Sequence, residues 1–136
     1  MNQTISKLVK LLTQEGISAS DAAKVIGAVE KMGGAHSVMS IKPEDSSFSS
    51  AEISPGGAAD TPSTVELTFK DGGGLALKDF EDAYGERHFV PIMRPGQKSR
   101  AAFYYEPEDA PYTLAIFVSH DDEHAASVLL RRDKRM

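Results

Sequence analysis

Residues 63–70, STVELTFK, alternate without a break: Val65, Leu67 and Phe69 fall on one side of an extended chain, and Thr64, Glu66, Thr68 and Lys70 on the other. A period of two marks a strand with one buried and one wet face. This constrains the whole chain, because the backbone of such a strand needs neighbours to hydrogen-bond and its apolar side needs a covering layer. The DGGG that follows, residues 71–74, reads as a flexible turn into a helix.

The covering layer is legible upstream. TISKLVKLLTQ, residues 4–14, places Ile5, Leu8, Val9 and Leu12 at helical spacing, with Thr4 as N-cap and Gly16 beyond the end. A second helix is expected in SDAAKVIGAVEKMGG, with Ser20 as cap, Ala22, Val25, Ile26, Val29 and Met32 as its stripe, and Gly33–Gly34 as its stop. Joined around Gly16 to Ala19, the two read as an αα-hairpin over residues 1–34. Residues 43–63 are rich in Ser, Pro, Gly and Ala and read as a loop or linker, although SSFSSAEIS has room for a short edge strand.

Downstream, Leu77, Phe80 and Tyr84 define a short helix closed by Gly85. HFVPIM has room for a few strand residues. AAFYYEP and PYTLAIFVS, separated by the turn-forming EDAP, read as consecutive antiparallel strands; ASVLLRRD fits either a helix continuing from a cap at Ser119 or, favoured by its alternation, a strand returning from DDEH. The whole is expected to be one α+β domain over residues 1–136. Its helical hairpin is followed by a β-α-β-β-β unit over 64–136, an antiparallel sheet of about four strands with helices on one face.

With 136 residues, 40% of them hydrophobic, the chain is long enough for a core of its own. It has no cysteine, which removes disulfides, thiol catalysis and cysteine-based metal sites, and fits a reducing, cytoplasmic setting. Lys7 and Lys10 interrupt the first apolar stretch, so it does not read as a signal peptide, and no run reaches the roughly 20 apolar residues of a membrane span. The net charge of −5 is spread along the chain: six basic against eight acidic residues in 1–70, nine against twelve in 71–136. Nucleic-acid and membrane partners are therefore not expected. RRDKRM at the end reads as a solvated tail.

HDDEH, residues 120–124, matches the H-x-x-E-H pattern of one class of zinc peptidases, which needs a helix to bring both histidines to the metal. Only Asp133 follows as a carboxylate, the segment has turn composition, and three fixed positions recur by chance in charged loops. The match reads as adventitious, with His120 and His124 kept only as an incidental metal pair, and no cofactor is expected. DGGG is neither G-x-G-x-x-G nor a P-loop, and no G-x-S-x-G accompanies the serines. His36 and His88 stand alone.

Glu106, Glu108 and Asp109 form an acidic tip beside Tyr104, Tyr105 and Tyr112, and Asp121, Asp122 and Glu123 form a second acidic group. Acids with tyrosines suit a surface that recognises one basic protein partner. In size, charge and element order the chain resembles the immunity proteins that bacteria make against their own toxins. The resemblance implies a stoichiometric inhibitor, not an enzyme, with these nine residues as its interface. Two other readings stand beside it: an adaptor or secretion chaperone that forms a homodimer through the N-terminal helices, and a small enzyme with His88, His120 or His124 as base.

Overall fold

The computed structural model describes residues 2–32, 38–55, 62–70, 75–91, 95–96, 99–121 and 123–134. The DGGG turn, the Gly33–Gly34 stop, His36 and Asp122 lie outside them. In chain order the elements are α1 (Gln3–Leu12), α2 (Ala19–Ile26), β1 (Gly27–Met32), β2 (Met39–Pro43), β3 (Phe48–Pro55), β4 (Pro62–Phe69), α3 (Leu77–Tyr84), β5 (His88–Val90), β6 (Ser99–Tyr105), β7 (Tyr112–Asp121) and β8 (His124–Lys134). All eight strands join one antiparallel sheet in the order β1-β2-β3-β4-β8-β7-β6-β5. The α+β class is as expected, but the sheet has twice the four strands read from the sequence.

One of the extra strands, β3, comes from the stretch 43–63, where a loop with room for a short edge strand was expected. β3 occupies 48–55 and is an interior strand, flanked by β2 and β4, and β4 already begins at Pro62. Its inward residues Ala51 and Ile53 are 2% and 1% exposed, which is enough burial to hold a strand whose outward side is only Ser and Glu. Another correction concerns the second helix, which stops at Ile26 and continues as β1. Gly27 lies opposite Pro43, and a Cβ there would come within 2.0 Å of the Lys42 carbonyl oxygen, so glycine lets the chain leave the helix flush against β2. Val29, expected on the buried stripe, is 43% exposed on this edge strand.

The caps also shift. Asn2, not Thr4, caps α1 by accepting from the Ile5 N–H at 3.1 Å. Ser18, not Ser20, caps α2 in a reciprocal box: the Asp21 N–H donates to Ser18 Oγ at 3.1 Å, and the Ser18 N–H to Asp21 Oδ2 at 2.9 Å. Thr4 takes another role. Its hydroxyl (3.4 Å) and the Asn2 amide (2.9 Å) both donate to Asp45 Oδ2, which ties α1 to the turn between β2 and β3.

One row of inward side chains crosses six strands in register: Met39 faces Ile53, Ile53 faces Val65, Val65 faces Leu130, Leu130 faces Ile116, and Ile116 faces Phe103. All are buried, in one cluster with Ile5, Leu8, Val9 and Leu12 of α1, Ala22, Ala23 and Ile26 of α2, and Leu77 and Phe80 of α3. Outward positions contribute no member to this cluster, so the helices cover one face only. No described helix is long and apolar enough to cross a membrane.

Residues 131–134 of the expected basic tail are instead part of β8; 135 and 136 lie outside the described residues. Arg132 shares the inward parity of Leu130 and is 8% exposed. Its Nε donates to the Leu12 carbonyl at 2.8 Å, its Nη2 to that of Gln14, and its guanidinium lies 3.5 Å from the centre of the Tyr112 ring. The end of α1 leaves carbonyls unpaired and carries partial negative charge, and a guanidinium answers both.

Arg132→Ala should lower stability by roughly 2–4 kcal/mol in urea unfolding, because carbonyls at the end of α1 lose their donor under the core edge. Arg132→Lys should recover only part, since one ammonium cannot reproduce the planar fork. Asp45 is held below the ordinary carboxylate range, chiefly by the Ser47 N–H and then by the Asn2 amide. A depressed folded pKa contributes stability present above the unfolded value of about 3.9 and lost as pH falls through the folded one. Asp45→Asn should therefore be less stable than the wild type at pH 7, with the gap closing in acid.

Candidate functional site

The antiparallel ladder of β6 and β7 runs from Ser99 opposite His120 to Tyr105 opposite Leu114, and it separates the two acidic groups expected to share an interface. Glu106, Glu108 and Asp109 sit at the tip beyond Tyr105, whereas Asp121 ends β7 and Glu123 lies in the turn before β8. Ten residues of strand at about 3.3 Å each put these ends roughly 30 Å apart. Asp122 is outside the described residues.

At the tip all three acids are exposed. The turn is closed by the Ala110 N–H donating to the Pro107 carbonyl at 3.4 Å, and Asp109 has φ 62°, the sign that a type II turn requires at its third position. Aspartate is one of the few side-chain-bearing residues that adopt this conformation at modest cost. The three tyrosines diverge. Tyr104 points outward, 46% exposed, with its ring edge-on to His88 at 5.0 Å. Tyr105 points inward and meets Tyr84 of α3 edge to face at 5.7 Å, and Tyr112 lies under Arg132.

At the other end the HDDEH segment is strand, turn and strand, not helix. His120 is paired with Ala125 and Asp121 with His124. Neighbouring pairs of a ladder point to opposite faces, so the two imidazoles leave the sheet on opposite sides. Glu123 is engaged elsewhere: Arg87 donates from Nη2 to its Oε2 at 3.1 Å and also pairs with Glu81 of α3. Arg87 accordingly holds the Glu123 carboxyl below its ordinary range. The turn is further tied to the start of α3 by Leu77 N–H to Glu123 carbonyl (2.8 Å) and Ala125 N–H to Leu75 carbonyl (2.7 Å). Among the described residues no group of three His, Asp or Glu side chains is placed to hold a metal ion.

Two further features were not expected. On the uncovered face, Phe117 lies between two guanidinium groups, Arg100 at 5.0 Å and Arg131 at 5.4 Å, above the buried Ala102 and Ala115. The signal was present in PYTLAIFVS, where Phe117 is the one large apolar residue at an outward position. The second is a cleft of about 270 Å³ where β5, β6 and β7 end together, walled by Arg87, His88, Phe89, Ser99, Arg100 and His120. His88 and His120, distant in sequence, both line it because β6 pairs with both strands.

Comparison with models of protein families, with curated proteins and with solved structures returned no match.

The left-handed backbone at Asp109 gives a local test of the tip. Asp109→Val should be about 1–2 kcal/mol less stable than Asp109→Gly in urea unfolding, because a β-branched residue pays the full steric cost of positive φ and glycine pays none. Asp109→Asn, which tolerates the same backbone, should stay close to the wild type.

Proposed function

We propose that the chain is a small stoichiometric protein-binding domain, an inhibitor of the toxin-immunity kind, that meets a basic surface of one protein partner with the β6–β7 tip. The observation that carries this reading is the exposure of Glu106, Glu108 and Asp109 on a closed turn, next to the outward Tyr104. A turn already fixed in the free protein loses little conformational freedom on binding. Clustered acids speed encounter with a basic surface, and a half-exposed tyrosine supplies apolar contact with a polar end. Of the two acidic groups the tip is the better candidate, because Glu123 is already paired with Arg87.

The adaptor reading relied on the apolar faces of the N-terminal helices. Ile5, Leu8, Val9, Leu12, Ala22, Ala23 and Ile26 are each at most 2% exposed, and this burial favours the inhibitor reading over the adaptor.

The test is purification of the tagged protein from its native cells through a high-salt wash, followed by binding kinetics with whatever single partner is retained in stoichiometric amount. Glu106→Lys with Glu108→Lys should slow association about 10- to 100-fold and weaken its dependence on salt. Tyr104→Ala should mainly speed dissociation. An association rate untouched by reversing the tip charges removes the tip from the interface, and a protein that returns alone removes the inhibitor reading.

A further inference from the structure

The uncovered face of the sheet carries a pattern that the tip-based reading leaves unused. Its middle row runs in register from Glu52 through Glu66, Leu129, Phe117 and Ala102 to His88. A sheet face left to water is ordinarily polar, yet Leu129 and Phe117 form a half-buried apolar pair at its centre, with the buried Ala102 and Ala115 beside Phe117.

Charge divides the row at that pair. On the β4 side, Glu66 and Glu52 are exposed and directly opposite each other, which is unfavourable while no cation is near, and neither forms a salt bridge among the described residues. On the β6 side, Arg100 reaches back over the Phe117 ring, 5.0 Å from its centre, where it meets Arg131, already engaged by Asp133. Acids on one half and a guanidinium on the other make the face complementary to a copy of itself.

Two aligned sheets pack about 10 Å apart, a gap that long side chains from both sides fill. A two-fold axis parallel to the strands, between β8 and β7, sets β8 on the second copy's β7 and β4 on its β6. Leu129 then meets the second copy's Phe117. Glu66 projects within about one strand spacing, roughly 5 Å, of the guanidinium of the second copy's Arg100, and symmetry makes the contact twice. A two-fold across the strands would instead set each strand on itself, with Glu66 on Glu66. The charges select the first axis.

We propose that the chain forms a homodimer by packing this face on that of a second copy, about a two-fold parallel to the strands. Six strands about 4.8 Å apart and three outward rows about 6.7 Å apart give roughly 500 Å² of face per copy, small for a specific interface, so the dimer is weak and reversible. Rotation about such an axis preserves strand direction. Both β6–β7 tips therefore point the same way, with their acids beyond the paired rows.

Sedimentation equilibrium of the free protein, up to about 1 mM, on the order of the weakest affinity worth calling specific, should show the mass rising from monomer to dimer. Glu66→Arg and Arg100→Glu, each alone, set like charges together twice and should weaken dimerisation about tenfold or more. An equimolar mixture of these two variants should dimerise as the wild type does, because each charge then meets its opposite. Phe117→Ser should also favour the monomer; if it fails to fold, the charge variants, at outward positions, carry the test. A monomer mass at every concentration overturns the proposal. So does a dimer that survives both single reversals, which would lie on another surface, or a mixture of the two variants that stays monomeric. These outcomes are read without the tip acids or a foreign partner, and so stand apart from the inhibitor reading.

Discussion

The pairing of β4 with β8 holds the molecule together. On one side of it lie β1 to β4, a meander that follows directly from α2; on the other lie β5 to β8, a meander that follows directly from α3. The strand order is therefore symmetric about this pair, and within the sheet the two halves join their core across the register Val65 to Leu130 and Leu67 to Val128. Both pairs are fully buried, and a one-residue slip would turn every inward side chain of one half toward solvent. The helices depend on the same join, since α1 belongs by sequence to the first half but reaches β7, and receives its C-terminal donor from β8.

That dependence explains which parts of the fold could be read from the sequence. β4, α1, α3 and the hairpin of β6 and β7 advertise themselves, because large apolar residues recur at a clear period and are buried where that period puts them. β1 and β3 do not. In GAVEKM, Val29 and Met32 extend the helical stripe of α2, and only Gly27 signals the change; the strand exists because β2 is there to pair with it. β3 alternates, but with Ala51 and Ile53 between serines and a glutamate the pattern is faint, and its burial comes from the neighbours on either side. Local periodicity sees an element's own side chains, whereas interior strands are specified by what lies next to them.

The candidate surfaces show a similar division. The acids of the tip were recognisable as a group because they are adjacent in sequence. That Asp121 and Glu123 lie a strand's length away, and that Tyr105 and Tyr112 are turned to packing, follows from ladder register. The cleft was invisible for the same reason, its walls coming from three strands and the link between α3 and β5.

Arginine use in the second half has an electrostatic consequence. Arg87 is held by two glutamates, Arg131 by Asp133 and the Phe117 ring, Arg132 by backbone carbonyls, and Arg100 by Phe117. These four cations are engaged by local partners.

The position of β8 also bears on biosynthesis. Of the eight strands it is the last to leave the ribosome, yet it takes the place between β4 and β7. Until it arrives, two long strands with well-formed apolar faces each present an open edge, and the end of α1 waits for Arg132. A nascent chain in that state is a template for wrong pairing. The sheet is thus closed by its last strand in chain order, by insertion at the centre rather than growth at the rim.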